Sequence, residues 1–267
     1  MRWVCLLFPR LALEGALRRR PDPEAPFALI DGPPPRQCIR AANRAARDQG
    51  VRPGQALGFA EALCDGLETA PFDAESVERW RRRLAAWAYG FSAQVSLHYP
   101  HALVFEIASS LALLGPWPRL EARLRAELGE LGFSHRLVIA PNPAAARVLV
   151  NVHDGLAVDE SELESVLASL RLDRAGLASV DADRDIVQTL TRSGFQRLGE
   201  LFALPRSALA RRFGGRLMRH LGELRESGRW RWITTARRRA FPAPSRSISQ
   251  CMPLPAWLFR SSVCCRN

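Results

Sequence analysis

The chain has 267 residues, of which 47% are apolar, enough to form one or two hydrophobic cores. Its formal net charge is +11 and all 38 basic residues are arginine, which excludes a Walker-type phosphate lysine, a Schiff base and a lysine general base. Such a basic balance predicts a polyanionic partner, and nucleic acid is favoured over a membrane because no apolar run reaches the roughly 18–20 residues that span a bilayer.

The N-terminal segment predicts a strand followed by a helix. Trp3 to Phe8 is an apolar run of strand length, and Leu11 to Arg20 is helical in pattern and ends at a proline. The apolar run is too short for a secretory leader and has no small-residue cleavage site, so we expect a cytoplasmic protein. The cysteines Cys5, Cys38 and Cys64 agree, because they stand singly without disulfide or metal spacing.

Residues 21–73 predict a small unit inserted after the first strand and helix. Phe27 to Ile30 is a short strand closed by a proline-rich turn. Two helices are expected after it, from Ala41 to Gln49 and from Gly54 to Cys64. Gly50 follows the first of these helices directly, which is a common way for a helix to end.

Residues 74–155 alternate helices and strands in a definite order. A long helix comes first, then two strands joined by a turn, a helix, a third strand and a last helix. Together with the first strand and helix, this order matches a split ferredoxin-like arrangement, an antiparallel sheet covered by helices on one face. The expected elements are Ala74–Phe91, Val95–Tyr99, Leu103–Ile107, Trp117–Leu131, Arg136–Ala140 and Asn142–Val150.

The long helix carries an arginine run opposite its apolar face. Val77, Leu84 and Trp87 recur at helical spacing on one side, whereas Arg79 and Arg81 to Arg83 lie on the other. We expect these arginines to be solvated, with contact to DNA as the alternative interpretation.

Residues 156–228 predict an acidic linker with one helix, Glu160 to Leu170, and then an all-α unit. Four helices are expected in that unit, in two pairs, and each pair is joined by a glycine-containing turn. Such pairs are typical of helix-hairpin-helix elements, where glycine lets backbone N–H groups approach a phosphate closely. The expected helices are Asp185–Arg192, Arg197–Ala203, Pro205–Arg212 and Arg216–Leu224.

Arginines surround both turns, so the all-α unit is predicted to bind the DNA backbone without reading its sequence. A plain helical bundle with a basic surface is the alternative. The predicted DNA-binding residues are Arg192, Gly194, Phe195, Arg197, Gly199, Arg211, Arg212, Gly214, Gly215, Arg216 and Arg219.

Three motifs, in this order and spacing, resemble the Y-family (UmuC/DinB-type) DNA polymerases. They are Ala46–Gly54 with the helix that follows, the strand segment Leu103–Ser110, and Val138–Pro143. The resemblance implies an α+β fold: a ferredoxin-like palm (1–20 and 74–155), small inserted fingers (21–73) and an all-α helix-hairpin-helix thumb. It also places Arg47 on the arginine with which the family contacts the nucleotide triphosphate.

The same resemblance places Cys5, Leu7, His101 and Ala102 on the positions of the family's metal-binding carboxylates. A two-metal phosphoryl transfer needs carboxylate oxygens to hold hard Mg²⁺ ions, and these four side chains do not provide them. The chain is therefore most similar to the non-catalytic ImuB group of the family. No metal or other cofactor is expected, and Mg²⁺ would be needed only by an active polymerase.

Other side chains are weaker candidates for a metal site. Glu106 and Glu14 match acidic positions of the family, and we interpret both as solvated or hydrogen-bonded carboxylates. His98, His101 and His153 lack the spacing of a zinc site and are expected at the surface.

The expected function is that of a non-catalytic DNA-binding scaffold in DNA damage repair and error-prone translesion synthesis (SOS mutagenesis). The resemblance implies primer–template DNA, an ImuA-like protein, an error-prone replicative-type polymerase and a sliding clamp as partners. Two alternatives stay open: an active translesion polymerase whose metal site uses Glu106, and a stand-alone helix-hairpin-helix module fused to an unrelated domain.

Residues 229–267 lose helical and strand periodicity and concentrate tryptophan, arginine and cysteine. A Y-family chain would enter a further domain at this point. We therefore hypothesise that the irregular tail is disordered or is a frame-shifted or truncated end.

Overall fold

The computed structural model describes residues 2–177 and 186–225. The predicted irregular tail, 229–267, lies outside these ranges, and so does Asp185, the first residue of a predicted thumb helix.

The larger of two sheets has five strands and forms the centre of the palm. β1 (Trp3–Leu7) lies in the middle and pairs antiparallel with β6 (Ala102–Glu106) on one side and with β7 (Arg136–Ala140) on the other. The edges are β5 (Val95–Ser96), antiparallel to β6, and β8 (Leu156–Ala157), parallel to β7. The order β5-β6-β1-β7-β8 contains every palm strand expected from sequence, with β8 added.

Strand alternation gives this sheet two apolar faces. Val4 and Leu6 are fully buried on one of them, while Cys5 is fully buried on the other. The Cys5 face shares its hydrophobic cluster with α7 (Pro143–Leu149), so helices lie on both faces rather than on one as expected. The physical reason is the alanine run of α7, whose small side chains let a helix lie close to β1 and β7.

The two long palm helices are α4 (Ala74–Ala88) and α6 (Trp117–Glu130). Asp73 caps α4 by accepting a hydrogen bond from Ser76 N at 2.9 Å, which explains where the helix begins. The helices are joined by Trp87, whose Nε1 donates to Glu127 at 2.7 Å. Both form close to where the apolar periodicity predicts them. Two shorter helices complete the palm, α1 (Leu11–Leu17) and α5 (Leu111–Leu114).

The fingers contain a second sheet that the sequence pattern predicts only in part. β2 (Phe27–Asp31) is expected, and it pairs antiparallel with β3 (Cys38–Ala42) and parallel with β4 (Glu68–Pro71). Residues 41 and 42 were expected to be helical and are the end of β3 instead. The helices of the fingers are α2 (Arg44–Asp48) and α3 (Leu57–Leu63).

Buried Asn43 sets the boundary between β3 and α2. Its side-chain oxygen accepts from Ala46 N at 3.1 Å as an N-cap and from Phe27 N at 3.0 Å across the sheet. One asparagine therefore starts the helix and holds the neighbouring strand, which is why the helix cannot begin at Ala41.

The linker and thumb are helical. Leu163–Ser169 forms α8, and Leu172–Arg174 is a single 3₁₀ turn. The thumb helices are α9 (Ile186–Arg192), α10 (Leu198–Phe202), α11 (Arg206–Phe213) and α12 (Gly215–Arg225). Pro205, expected inside a helix, is the residue that precedes α11.

One apolar cluster runs from the Cys5 face of the sheet through α7 and α8 into the thumb, where it includes the fully buried Leu190, Leu198 and Leu217. The palm and thumb are also joined by Asn142, whose side-chain nitrogen donates to Leu224 O at 3.0 Å. Within the part of the chain that the structure describes, no helix combines the length and hydropathy needed to span a bilayer.

Candidate functional site

The four palm positions expected to have lost carboxylates lie together at one end of β1 and β6. Leu7 pairs directly with Ala102 in the sheet register, and Cys5 lies two residues back along β1. His101 precedes Ala102, and its carbonyl accepts a hydrogen bond from Phe8 N at 2.8 Å. The structure therefore assembles the predicted set in one place.

The side chains at this end of β1 and β6 are apolar or neutral rather than anionic. Cys5 and Ala102 are buried in the hydrophobic cluster, and Leu7 packs against it. Burial raises the pKa of the Cys5 thiol to about 12, against the opposing effect of Arg147. A protonated thiol and two hydrocarbon side chains offer no ligand that Mg²⁺ prefers.

Guanidinium groups approach this place from three elements. Partial burial lowers the pKa of His101, and the nearby charges of Arg81, Arg40 and Arg147 lower it further. These arginines belong to α4, β3 and α7. His101 itself is held in the left-handed backbone region, with φ of 57°, which is uncommon for a residue other than glycine. No sequence motif indicated that these three arginines would act on one histidine.

Arg81 corrects the expectation that the whole arginine run of α4 is solvated. Its side chain is only 17% exposed and pairs with Glu78 at 2.7 Å. Its guanidinium also donates to the carbonyl oxygens of Leu97 and Tyr99, the latter at 2.9 Å. Arg81 therefore supplies hydrogen bonds to two carbonyl groups of the segment that leads to His101. A carbonyl that is removed from water and left without a donor would be costly.

The other arginines of this run remain exposed. Arg79 pairs with Asp73 at 3.3 Å and with Glu75 at 3.0 Å, and Arg82 lies 3.6 Å from Glu78. Pairs of this kind on a helix surface contribute little to stability.

Arg147, on the palm side, is the arginine whose charge acts on both Cys5 and His101. Its guanidinium lies 6.0 Å from the centre of the Tyr99 ring, and its Nη1 donates to Asn151 Oδ1 at 2.5 Å. Arg40, on the fingers side, pairs with Asp31 and lies 3.6 Å from the centre of the Phe72 ring. Each guanidinium is thus positioned by its own neighbours.

Glu106 lies at the wrong end of its strand to replace the missing carboxylates. It pairs with Trp3, four residues from the Leu7–Ala102 pair, or about 13 Å along a strand. Only 4% exposed, it accepts hydrogen bonds at 2.7 Å from both Ala108 N and Ser109 Oγ. Glu106 is therefore a hydrogen-bonded carboxylate that shapes the turn after β6.

Glu14 is also used inside the chain, since its carboxylate accepts from Ser134 N at 3.1 Å. Among residues 2–177 and 186–225, no three histidine, cysteine, aspartate or glutamate side chains are grouped as a metal site would need. His98 contacts the Tyr99 ring edge-on at 5.0 Å.

Arg47, the predicted triphosphate contact, lies on α2 and is half-buried. Its Nε donates to the Asn43 carbonyl at 3.3 Å, and its own carbonyl accepts from the Arg52 guanidinium. The side chain is therefore partly fixed by the first turn of its own helix.

The thumb turns have the backbone that the glycine pattern predicts. Gly194 has φ of +91° and Gly214 has φ of +84°, a region that favours glycine. A side chain at either position would meet no neighbour within 4 Å, and the same holds for Gly215, whose φ is ordinary. The glycines therefore leave the backbone of both turns open to close approach.

A side-chain contact brings the two turns together. Arg212 Nη2, at the end of α11, donates to Ser193 Oγ in the first turn at 3.0 Å. The arginines predicted to bind DNA are all exposed: Arg192, Arg197, Arg211, Arg212, Arg216 and Arg219. We call these six arginines and the two glycine turns the thumb surface.

Two predicted members of the DNA-binding set have a packing role. A Cβ on Gly199 would lie 2.8 Å from the Cβ of Ala168, so glycine there lets α10 lie against α8. Phe195 is partly buried against the hydrophobic cluster. Arg197, although exposed, also donates to Ser169 O at 3.1 Å. Packing accounts for Gly199 and Phe195 without reference to DNA.

The sequence matches known proteins along much of its length. The model of the IMS (impB/mucB/samB) family matches residues 15–151, just over half of the chain. Protein ImuB from Caulobacter vibrioides, in strains NA1000 / CB15N and CB 15, is 31% identical over 166 residues. That alignment covers 62% of this chain and 35% of each ImuB protein, so it spans about a third of the relatives' length.

Solved structures agree with the fold. DinB from Sulfolobus solfataricus matches with a TM-score of 0.65 at 16% identity, covering 84% of this chain and 67% of that one. An insertion ternary complex of Dbh DNA polymerase matches with a TM-score of 0.67, also at 16% identity and with the same coverage. The chain therefore belongs to the impB/mucB/samB family and has the palm-and-fingers fold of Y-family DNA polymerases.

Proposed function

We propose that this protein is a non-catalytic, DNA-binding scaffold of DNA damage tolerance, related to ImuB. In this role the thumb surface holds primer–template DNA independently of sequence, and the palm contributes shape rather than chemistry. The observation that supports the proposal is the Leu7–Ala102 pair, two side chains without carboxylates that the family resemblance aligns with the metal-binding positions of an active palm.

The electrostatics of the palm support the absence of chemistry. A two-metal site concentrates carboxylates, because two divalent ions about 3.5–4 Å apart must be neutralised. Here the charges of Arg81, Arg40 and Arg147 lower the pKa of His101, and positive charge of this kind also repels a divalent cation. Glu106 is too distant along β6 and is already hydrogen-bonded.

The thumb surface supports DNA binding. Its six arginines are exposed, and its two turns, which leave room for close approach, are joined by the Arg212–Ser193 contact. The N–H groups of Gly194 and Gly214 donate to Thr191 O and Ala210 O, so the side chains supply the donors for phosphate. If all six arginines contact phosphate, log K should fall with log salt at a slope of about −5. A threefold rise in salt would then weaken binding on the order of 10²-fold.

Family relationship supports the finer parts of the proposal. By its resemblance to the ImuB group, we assign the chain a place in damage-induced (SOS) mutagenesis in the cytoplasm. The same resemblance implies three protein partners: an ImuA-like protein, an error-prone replicative-type polymerase and a sliding clamp. Co-purification of each partner with this chain, with and without primed DNA, tests them one at a time.

An active translesion polymerase is the second candidate, and the fold match to a ternary complex of Dbh DNA polymerase is the observation that favours it. The third alternative, a thumb fused to an unrelated domain, is wrong because the palm sheet is present.

One experiment separates the two remaining candidates. DNA binding and primer extension are measured together on a labelled primer–template, with Mg²⁺, with Mn²⁺ and with EDTA. The scaffold proposal expects binding that survives EDTA, falls steeply with salt and is accompanied by no extension. Templated extension that is lost in Glu106→Ala, with binding retained, would establish the polymerase instead.

A further inference from the structure

A cavity opens in the thumb between α10, α11 and α12, with a volume of about 240 Å³. Buried Leu201, Leu209 and Leu221 line it, together with the partly exposed side chains Phe202, Leu204 and Met218. Small-molecule sites usually measure about 300–1,000 Å³. This cavity is smaller, and its size suits one or two side chains of another polypeptide.

Two arginines give this apolar cavity a basic rim. Arg225 lines it, lies 4.9 Å from the centre of the Phe202 ring and pairs with Glu164 at 2.6 Å. Arg206 also lines it, is exposed, and has no carboxylate within 4.0 Å among the described residues. Apolar walls beside unbalanced positive charge complement a segment that is both apolar and acidic.

The cavity lies apart from the thumb surface. On α11 it uses Arg206 and Leu209, at the opposite end of the helix from the Gly214 turn. On α12 it uses Met218, Leu221, Gly222 and Arg225, none of which belongs to the thumb surface, and Met218 lies four residues, about 6 Å of helix, from Gly214. DNA at the glycine turns and a peptide in the cavity therefore do not compete for the same residues.

Gly222 contributes to the opening. It lines the cavity from within α12, where glycine is unfavourable for helix formation. A larger side chain at this position would improve helix propensity and take up cavity volume. Glycine at position 222 therefore leaves this part of the cavity unfilled.

We propose that this cavity is a docking site for an acidic segment of a partner protein. The segment inserts one large apolar side chain between Leu201, Leu209 and Leu221, and one of its carboxylates pairs with Arg206. The docking site is independent of the proposed DNA scaffold function, since it uses neither the palm nor the thumb surface.

The full chain contains three methionines, Met1, Met218 and Met252, so a ¹³C-methyl-methionine NMR spectrum reports the cavity through Met218. Met218→Leu, which conserves volume, assigns the resonance. The probe is the peptide acetyl-Asp-Glu-Phe-Glu-Asp-amide, titrated to about 1 mM, the range of a weak docking contact. We expect a saturable shift of the Met218 methyl, whereas the same peptide with alanine in place of phenylalanine produces none.

Variants locate the contact. Arg206→Glu should weaken peptide binding about fivefold or more, and Gly222→Leu should abolish it by filling the cavity, while both retain DNA affinity. Arg211→Glu, on the same helix but in the thumb surface, is the matched control and should lower DNA affinity while leaving peptide binding unchanged.

Four outcomes would overturn the docking site. They are no shift of Met218, a shift that persists in both Arg206→Glu and Gly222→Leu, an equal shift with the alanine peptide, and displacement of the peptide by single-stranded DNA. A Met218 resonance that is already ring-shifted and does not respond would mean that another part of the chain fills the cavity. None of these results changes the DNA-binding readout, so they are distinguishable from failure of the scaffold proposal.

Discussion

The arginines at the centre of the palm and those of the thumb surface differ in how far they are exposed. Arg81 and Arg147 in the palm donate to their own chain, to the Leu97 and Tyr99 carbonyls and to Asn151. Arg211 and Arg216 in the thumb are exposed beside an open glycine turn. Charge alone therefore does not mark a nucleic-acid interface. A guanidinium enclosed by carbonyl oxygens of its own fold, such as that of Arg81 at 17% exposed, is fixed in place, whereas an exposed guanidinium lies within reach of a partner.

The largest expected effect comes from returning carboxylates to the palm. Leu7→Asp combined with Ala102→Asp places two carboxylates against the hydrophobic cluster, and should cost about 3–5 kcal/mol or prevent folding. Urea denaturation with and without Mg²⁺ measures it, and the ion should restore no stability. Recovery of stability by Mg²⁺ would mean that the palm still binds divalent cations, which would contradict the proposal of a non-catalytic palm. Leu7→Asn with Ala102→Ser, which adds no charge, is the matched control.

The next effect tests the thumb surface. Arg211→Glu combined with Arg216→Glu should lower DNA affinity on the order of 10²-fold and reduce the salt slope by about 2, because two phosphate contacts are replaced by repulsion. Fluorescence anisotropy at several salt concentrations measures both quantities. Arg82→Glu on α4 should change affinity little. An equal loss in Arg82→Glu would mean that α4 also contacts DNA and that palm and thumb are not distinct.

Replacing Arg81 should have a smaller effect, and this effect should be on stability rather than on DNA binding. Arg81→Ala removes the donor from the Leu97 and Tyr99 carbonyls and leaves them unsatisfied, so the free energy of unfolding should fall by about 1–3 kcal/mol with DNA affinity unchanged. Chemical denaturation and anisotropy on one preparation decide this. Its neighbour Arg82→Ala should stay within about 0.5 kcal/mol of the parent protein. A DNA-binding defect without a stability loss would assign Arg81 to the interface.

The smallest effect concerns Cys5. Because burial raises the pKa of its thiol to about 12, the native thiol stays protonated where an unfolded one ionises, above about 9. Its contribution to stability is therefore complete below pH 9 and is lost as the pH rises towards 12. Iodoacetamide followed by peptide mass spectrometry at pH 8.5 should label exposed Cys38 and spare Cys5. Rapid labelling of Cys5 in folded protein would show that the Cys5 face is open.

Local patterns determined most of the architecture. The apolar runs in Trp3–Leu7 and Arg136–Ala140 predicted strands, and apolar periodicity predicted α4. The glycines at 194 and 214 predicted turns that only a left-handed backbone allows. These features depend on residues within a few positions of one another, which is why the sequence alone was sufficient for them.

Features that depend on contacts between residues far apart in sequence were decided only by the tertiary structure. The boundary between β3 and α2 depends on Asn43 reaching Phe27, and the role of Gly199 depends on the approach of Ala168. Arg81 could be assigned to the interior only once α4 was packed beside the chain leading to His101. Partners separated by many residues leave no periodic trace in a sequence, because their meeting is set by how the elements pack and not by local conformational preference.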